Sequence, residues 1–327
     1  MALEVYRSLE KCAAALRGRR TVVTVGNFDG VHLGHQKIVR RVVERAHKPS
    51  DLGRVALAVT FDPHPLRVLR PAEAPPLIHT VEQRLAAIAA LGLDAVLILR
   101  FDRRFAGLAP TDFVRKILFE KLRTNIVVVG ENFRFGHRHA GEVSLLQALG
   151  KQWGFEVELV PPVRVRGQVV SSSAIRRAIG GGKVELAARL LGRPYALTGE
   201  IQSGTGRGSQ LVVPTLNLDF EQEILPCPGV YITETLVEGK VYRSATNVGV
   251  RPTFNNRRRR VTVESHLFDF SADVKKGQME VRFWRRLRDE RKFSGVAALR
   301  HQIARDLARA RRFFERLDIR AGSGQRA

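Results

Sequence analysis

Residues 21–35 read Thr-Val-Val-Thr-Val-Gly-Asn-Phe-Asp-Gly-Val-His-Leu-Gly-His, and this stretch decides the fold of the first half of the chain. Its first five residues are an apolar, β-branched run, which predicts a buried parallel strand. Residues 35–46 then carry apolar side chains at helical spacing. A glycine-rich turn joins the two, and a strand, turn and helix in this order leave backbone N–H groups open to a phosphate. The stretch therefore predicts a nucleoside triphosphate site.

Two histidines stand at the start of the predicted helix. His32 and His35 are three residues apart, so they lie on one helical face. They could be zinc ligands, but no third ligand follows at a suitable spacing, and a structural role stays open. Their position after a glycine turn favours phosphate contact, where a histidine N–H can stabilise the charge that develops as an α-phosphate is attacked.

Length and composition indicate a globular protein of two domains. The chain has 327 residues, of which 44% are hydrophobic and 27% charged, enough for sizeable cores. Its two cysteines, Cys12 and Cys227, are far apart and in no metal spacing, which favours a reducing compartment. The first residues do not form a signal peptide, and no uncharged run approaches the ~18 residues of a membrane span. We expect a cytoplasmic protein with no membrane partner.

The net charge of +23 admits three explanations. It fits nucleic-acid binding, arginine-rich solvated helix faces, or anionic substrates. Arg257–Arg260 is the only dense basic run, and no aromatic residues interleave it as in a base-stacking platform. We therefore expect small anionic molecules, and not nucleic acid, as the principal partners, with a homo-oligomer left open.

The first half alternates strand-like and helix-like segments. This alternation predicts a doubly wound parallel sheet with ligands at the carboxyl ends of its strands. The predicted strands are Thr21–Val25, Val55–Phe61, Ala95–Leu99, Ile126–Val129 and Phe155–Val160, with helices such as Glu82–Leu91 and Thr111–Leu122 between them.

The second half has the pattern of an antiparallel barrel or sandwich closed by one helix. A short helix, Val184–Leu191, precedes it. We place the domains at residues 1–186 and 187–320, followed by a disordered tail at 321–327. The predicted strands are Tyr195–Ile201, Leu211–Leu218, Gly229–Leu236, Lys240–Val248, Val261–Leu267 and Met279–Arg288, and the helix is Val296–Leu317.

Three further segments of the first half follow predicted strands or begin a helix. Phe61–Pro65 contains His64 in a stiff loop. This loop could be functional, or it could have only a structural role. Gly130–Gly136 offers an amide at Asn132 and a flat ring at Phe133, although this ring could also belong to the core. Ser171–Arg176 begins with hydroxyls that can cap a helix, and its arginine could clamp a phosphate there.

The second half holds a candidate metal site and a candidate base. Thr215 and Asn217 in Pro-Thr-Leu-Asn are two apart on a strand, so they face one side. Hydroxyl and amide oxygens suit Mg²⁺, which substrate phosphates and waters complete; an edge-strand turn is the alternative. Glu264 is a strand carboxylate that either faces solvent or acts as a general base for a hydroxyl. Gly199–Gly208 is a glycine-dense strand and turn.

The segments 26–35, 130–136 and 171–176, in this order and spacing, resemble the adenylyltransferase module of bacterial bifunctional riboflavin kinase/FMN adenylyltransferases, also called FAD synthetases. The resemblance covers residues 21–180 and implies a nucleotidyltransferase-like Rossmann fold. It implies catalysis by His32 and His35. It further implies that ATP is held by Gly26, Asn27, Phe28, Gly34, Ser172 and Arg176, and that flavin or FMN is held by Asn132, Phe133 and His64.

Residues 193–318 resemble the riboflavin kinase module of the same family. The matching segments are 214–217, 228–231, 247–254, 264–270 and 287–293. The resemblance implies Glu264 as catalytic base and Mg²⁺ on Thr215 and Asn217. It implies that ATP or flavin is held by Gly204, Gly208, Asn247 and Arg288.

The chain departs from this family at two loops, one of which is the Arg257–Arg260 run in place of a shorter glycine-rich loop between Phe254 and Val261. The family has Gly-Arg and then Leu-Gly-Phe before its Pro-Thr-x-Asn, whereas Ser209 and Val212 stand in two of these positions. Arg207 or the Arg257–Arg260 run could supply the missing charge toward ATP.

The resemblance as a whole implies two reactions in sequence. Riboflavin is phosphorylated by ATP to FMN, and the FMN phosphate then attacks the α-phosphate of another ATP to give FAD and pyrophosphate. Two alternatives stay open: an enzyme whose adenylyltransferase alone is active, and a basic nucleic-acid-binding protein. Steeply salt-dependent RNA binding would favour the second.

Overall fold

The computed structural model of the chain describes residues 2–49, 53–202, 214–252, 259–272 and 274–323. The chain divides into two compact units, residues 1–172 and 173–327. No helix in these described ranges is both long enough and apolar enough to cross a membrane.

A six-stranded, all-parallel sheet forms the centre of the N-terminal unit and confirms the predicted architecture. Its strand order is β1-β4-β3-β2-β5-β6. The short edge strand β1 was not predicted, since three residues carry too little pattern. The strands are β1 (Glu4–Tyr6), β2 (Thr21–Val25), β3 (Val55–Asp62), β4 (Ala95–Arg100), β5 (Thr124–Gly130) and β6 (Glu156–Val160), and β7 (Arg164–Val165) and β8 (Gln168–Val169) pair separately.

Helices cover both faces of this sheet, so its central strands β2, β3 and β4 are almost completely buried. Val22 and Ala56 face a core that includes Val39 and Val42 of α2, whereas Val23 and Leu57 face a second core. The helices of the unit are α1 (Leu9–Ala15), α2 (Leu33–Ala46), α3 (Pro65–Leu69), α4 (Val81–Ala89), α5 (Arg103–Ala106), α6 (Pro110–Asp112) and α7 (Val143–Trp153). A π-helix, Phe113–Lys121, follows α6, and 3₁₀ turns lie at Pro71–Glu73 and His137–His139.

The strand order reverses beside β2. The chain adds β3 and β4 on one side of β2 and then crosses to place β5 on its other side. Ligands of open α/β sheets bind at the carboxyl ends of strands at such a switch point. The turn after β2, residues 26–31, lies at this point.

A closed barrel of six antiparallel strands forms the C-terminal unit, again as predicted. Its strand order is β10-β13-β12-β11-β14-β9. Helices α8 (Ser172–Gly180), which begins at the unit boundary, and α9 (Val184–Leu191) precede it, and α9 packs against β9 and β14. The strands are β9 (Tyr195–Gln202), β10 (Leu216–Phe220), β11 (Gly229–Val237), β12 (Lys240–Pro252), β13 (Arg259–Leu267) and β14 (Gln278–Asp289).

Helix α10 (Val296–Ser323) packs on the barrel through an apolar cluster. Ala310 and Phe314 meet Ile232, Ala245 and Phe268 there. The helix runs to Ser323, and residues 324–327 of the predicted tail lie outside the described part of the chain.

Five fully buried hydroxyl groups form a hydrogen-bonded chain inside the barrel. Thr233 Oγ1 lies 2.8 Å from Ser244 Oγ and 2.6 Å from Thr246 Oγ1. Ser244 also meets Thr235 at 2.8 Å, and Thr246 meets Ser265 at 2.7 Å. Each hydroxyl can both donate and accept, so each of the five groups has at least one hydrogen-bond partner within this chain.

We predict that Gly199→Ala destabilises the barrel by about 1–3 kcal/mol, the range for an overpacked site. Gly199 pairs with both Phe220 and Met279, and an added Cβ would lie 1.8 Å from the carbonyl oxygen of Asp219. Urea unfolding followed by the fluorescence of Trp284, in a Trp153→Phe background, measures the change.

Gly180→Ala is the matched control, because nothing lies within 4 Å of its added Cβ and its φ is not positive. Its unfolding midpoint should stay the same or rise slightly. Equal midpoints for the two variants would contradict the predicted clash.

Candidate active sites

The turn after β2 forms the centre of the N-terminal candidate site. Because β3, β2 and β5 are neighbours in a parallel sheet, the loops that follow them begin at one edge. His64 comes after β3, and Asn132 and Phe133 come after β5. The Nδ2 atom of Asn27 lies 3.3 Å from Nε2 of His64, so the first two loops are in direct contact.

The two histidines stack on each other at the start of α2. Their ring centroids are 3.7 Å apart with planes 13° from parallel. His32 is the N-cap of α2, and its Nδ1 accepts the backbone N–H of His35 at 3.3 Å. A side chain at Gly34 would lie 3.1 Å from the His32 ring, so glycine allows this ring to fold over the helix start.

Burial and hydrogen bonding determine the protonation of His35 and the tautomer of a neutral His32. Burial lowers the pKa of His35 well below its usual value, and the neighbouring His32 lowers it further. His35 is therefore neutral at pH 7. Since Nδ1 of His32 accepts a hydrogen bond, a neutral His32 carries its proton on Nε2 and can donate from that atom.

Side chains hold the backbone carbonyl groups of the turn. Arg84 Nη1 donates to the Asn27 carbonyl at 2.9 Å, and Thr60 Oγ1 donates to the same oxygen at 3.3 Å. Ser172 Oγ donates to the carbonyl of Asp29 at 2.9 Å, and Gln36 Nε2 to that of Val31 at 2.9 Å. The carbonyl groups are thus engaged with protein.

The same turn contains unusual backbone conformations. Phe28 and Val31 have φ of 49° and 40°, a region that non-glycine residues rarely occupy. The Phe28 ring is 1% exposed and meets His35 edge-on at 5.2 Å. Strained residues of this kind persist when the surroundings over-determine them, as at ligand-binding turns.

Arg84 and Asp29 are residues of this site that the sequence analysis missed. Both are buried, at 7% and 3% exposed. The Asp29 carboxylate accepts the backbone N–H groups of Ile78 and His79 at 3.0 and 3.2 Å. Burial lowers the pKa of Arg84, and the charge of Asp29 opposes this shift. In the sequence, Arg84 is one charged residue on the predicted helix Glu82–Leu91. This position alone does not indicate a role in the site.

The remaining residues predicted for this unit have varied surroundings. Asn132 is exposed, while Phe133 is half-buried and stacks on the buried Phe135 at 5.4 Å. Phe133 therefore belongs partly to the core, which was its alternative. Ser172 begins α8, and Arg176 lies one turn later on this helix.

Four of the predicted kinase residues lie in one row across the barrel. Asn217 of β10 is opposite Glu264 of β13, and Glu264 is opposite Asn247 of β12. Val230 of β11 is opposite both Asn247 and Arg288 of β14. Directly paired residues share a face of the sheet, so the row brings together four residues that are far apart in sequence.

Thr215 lies just before β10, next to this row. His266, two residues after Glu264 on the same face, has its Nδ1 2.8 Å from the carbonyl oxygen of Pro214. This contact ties the segment before Thr215 to β13. Strand alternation from Glu264 was a signal that could have identified His266.

Arg288 has protein partners of its own. Its Nε donates to Asp306 of α10 at 2.8 Å, with the two side chains 17% and 4% exposed. Nη1 donates to the backbone carbonyl of Asp289. This guanidinium therefore fastens α10 to the barrel, whatever else it binds.

Gly249 continues the face that carries Asn247. An added Cβ would lie 2.9 Å from Glu290 Oε1 and 3.0 Å from Asn247 Nδ2. Both side chains thus close over the backbone of β12 at this point. The predicted contacts at Gly204 and Gly208, and the departures at Ser209 and Val212, lie outside the described residues.

Comparison with known families matches each unit separately. A family profile described as FAD synthetase matches residues 15–174. One described as riboflavin kinase matches residues 191–314.

Curated relatives match over nearly the whole length. A bifunctional riboflavin kinase/FMN adenylyltransferase of Pseudomonas fluorescens is 36% identical over 309 residues, which cover 94% of this chain and 97% of the relative. The protein of that name from Escherichia coli K12 is 35% identical, covering 90% and 92%. A solved structure from Streptococcus pneumoniae, described as a macrolide-efflux protein, has a TM-score of 0.83 at 27% identity, covering 95% of this chain and 99% of that one.

We predict that the N-terminal unit loses stability as the pH falls from 7.5 to 5.5. An unfolded histidine takes up a proton near a pKa of about 6.5, whereas the folded His35 does not, because its pKa is lowered. The unfolded state therefore binds more protons. As the pH is lowered, the free energy of unfolding decreases by up to about 1.4 kcal/mol per pH unit. His35→Gln should flatten this dependence.

Urea unfolding reported by Trp153, in a Trp284→Phe background, measures this effect. His139→Gln is the control, because that ring is exposed and meets solvent in both states. Equal pH dependence of the His35→Gln variant and its parent would contradict the prediction.

Proposed function

Because the chain belongs to the family of bifunctional riboflavin kinase/FMN adenylyltransferases, we propose that the His32–His35 site adenylylates FMN and that the Glu264 row phosphorylates riboflavin. Membership makes the chain an enzyme of flavin cofactor biosynthesis that converts riboflavin to FMN and FMN to FAD. The assignment of residues is supported by the pairing of Asn217, Glu264 and Asn247 in one barrel row, and by the loops after β2, β3 and β5, which begin at one sheet edge.

In the N-terminal unit, the turn after β2 holds the ATP triphosphate. Its carbonyl groups are engaged with Arg84, Thr60, Ser172 and Gln36, which leaves the helix start as the region for anions. Nε2–H of His32 donates to a phosphate oxygen, and the neutral His35 supports that ring from behind. Gly26, Asn27, Phe28 and Gly34 shape the turn, and Ser172 and Arg176 contribute a second helix start.

The adenylyl transfer needs no covalent enzyme intermediate. An oxygen of the FMN phosphate attacks the α-phosphorus of ATP, the bond to the β-phosphate oxygen breaks, and pyrophosphate leaves. Charge grows on the phosphate oxygens as this happens, and fixed N–H donors stabilise it. Asn132, Phe133 and His64 hold the flavin or its phosphate beside this centre.

In the C-terminal unit, Glu264 orients and deprotonates the terminal ribityl hydroxyl of riboflavin. The hydroxyl oxygen attacks the γ-phosphorus of ATP, the bond to the β-phosphate oxygen breaks, and ADP leaves. Asn247 and Arg288 lie in the same row and contact substrate. We also assign Gly204 and Gly208 to this ATP site.

Thr215 and Asn217 would hold Mg²⁺ through a hydroxyl oxygen and an amide oxygen. The described residues contain no group of three His, Cys, Asp or Glu side chains that could hold a metal, which fits an ion held largely by substrate phosphates and water. When bound, Mg²⁺ neutralises charge on the ATP phosphates. The two unpaired cysteines support a cytoplasmic location.

We predict that single-site variants separate the two reactions. Glu264→Gln should lower riboflavin phosphorylation about 10²–10⁴-fold, the usual contribution of a general base, while FAD formation from added FMN stays unchanged. His32→Ala with His35→Ala should do the reverse. Chromatography of flavin products from riboflavin or FMN with ATP and Mg²⁺ measures both rates.

Each variant should keep the reaction of the unchanged unit, and this retained activity shows that the protein is folded. The assignment would be wrong if a variant that stays folded lost both reactions, or if Glu264→Gln phosphorylated riboflavin at the parental rate.

We predict that Arg84→Met lowers kcat for FAD formation about 10–100-fold, in line with the cost of a misplaced catalytic element. The Asn27 carbonyl would lose its charged donor, and the turn would shift away from the position that binds the triphosphate. Riboflavin phosphorylation by the same protein should be unaffected. Arg17→Met removes an exposed arginine from this unit and should change neither rate. Unchanged FAD formation by Arg84→Met would show that the turn does not depend on this contact.

A further inference from the structure

A cleft in the C-terminal unit is lined by four arginines. It lies between β14 and α10 and has a volume of about 260 Å³. Arg285 comes from the strand, and Arg309, Arg312 and Arg316 come from the helix. None of them belongs to the row that contains Glu264, and their spacing on α10 places the last three on one helical face.

None of the acidic residues of α10 lines this cleft. Asp306 accepts from Arg288 at 2.8 Å, and Asp318 accepts from Arg243 at 2.6 Å. Glu315 lines the neighbouring cleft, which also contains Arg311. These are the three carboxylates of α10, and within the described part of the chain none of them forms an ion pair with an arginine of the cleft.

The charges of the cleft are therefore poorly balanced by protein. Within the described part of the chain, Arg309 and Arg316 have no acidic partner, and Arg312 has one bond, to the carbonyl of Ala308. Arg285 alone is paired, through Nε to Glu185 at 3.1 Å. Like charges on neighbouring turns repel, and a bound anion would remove that repulsion.

The floor of the cleft is apolar. Ile232, which is 1% exposed, lies opposite Arg285 in the strand register, and Leu287 and Phe313 complete the floor. The Arg285 guanidinium also lies 5.4 Å from the centre of the Phe313 ring. Glu185 and Phe313 thus hold Arg285 in place beside an aromatic surface.

We propose that this cleft binds a small organic phosphate, with two or more negative charges beside a flat apolar group. Guanidinium groups match phosphate oxygens in bidentate geometry, and Phe313 and Leu287 suit the apolar group. The volume lies just below the ~300–1,000 Å³ of common ligand pockets, which favours a molecule of mononucleotide size or smaller. The inference does not depend on the roles proposed for the two active sites.

The test uses the full-length enzyme and 1-naphthyl phosphate, a fluorescent dianion with a flat apolar ring. We compare the parent with Arg309→Gln/Arg316→Gln, and with Arg17→Gln/Arg20→Gln as a control that removes two exposed arginines of the other unit. The parent and the control should bind one more probe per chain than the cleft variant, or bind it at least tenfold more tightly. Probe that still binds the cleft variant reports the two nucleotide sites.

A second variant and two further probes complete the test. Arg316→Glu should reproduce the loss, and the thermal unfolding midpoints should show that all variants are folded. Equal titrations of the parent and both cleft variants would overturn the proposal. Binding of uncharged 1-naphthol at the same affinity, or competition by inorganic phosphate at the same affinity as 1-naphthyl phosphate, would also overturn it.

Discussion

The N-terminal site depends on how the carbonyl groups of one turn are held. A turn that binds phosphate has to direct its N–H groups toward the ligand, and this is possible only if its carbonyl groups have other partners. Side chains from β3, α2 and α4, together with Ser172, supply those partners. The positive φ angles of Phe28 and Val31 are a result of the same arrangement, since the backbone has to reverse direction within a few residues.

In the barrel, the register of the strands positions the candidate residues. Asn217 and Asn247 are distant from Glu264 in sequence, but strand pairing places Asn217 on one side of it and Asn247 on the other. The closed barrel fixes this register, because a slip by one residue would turn Glu264 inward and its buried neighbours outward. Strand pairing therefore joins Glu264 to the local motif that contains Thr215 and Asn217.

The sequence predicted both folds because their signals are periodic. Thr21–Val25 is buried on both faces and reads as an apolar run, and most barrel strands were placed within a few residues. Local patterns could not reveal Arg84 or Asp29, whose importance comes from contacts across 49 to 57 positions in the chain. Arg288 illustrates the same limit, since its bond to Asp306 depends on where α10 packs. Motif resemblance named the candidate residues, and only the fold shows which of them are neighbours.

The hydroxyl chain inside the barrel limits how this interior can change during evolution. Thr233, Ser244 and Thr246 each bond to two other hydroxyls. Replacing one of them with an apolar residue leaves its neighbours with unpaired polar atoms in a dry core, although an all-apolar interior of the same shape would be acceptable. Single steps away from the polar interior are thus unfavourable even where the end point is not. The polar composition of the barrel core is therefore maintained for two reasons: the core itself is stable, and each single substitution away from it destabilises the protein.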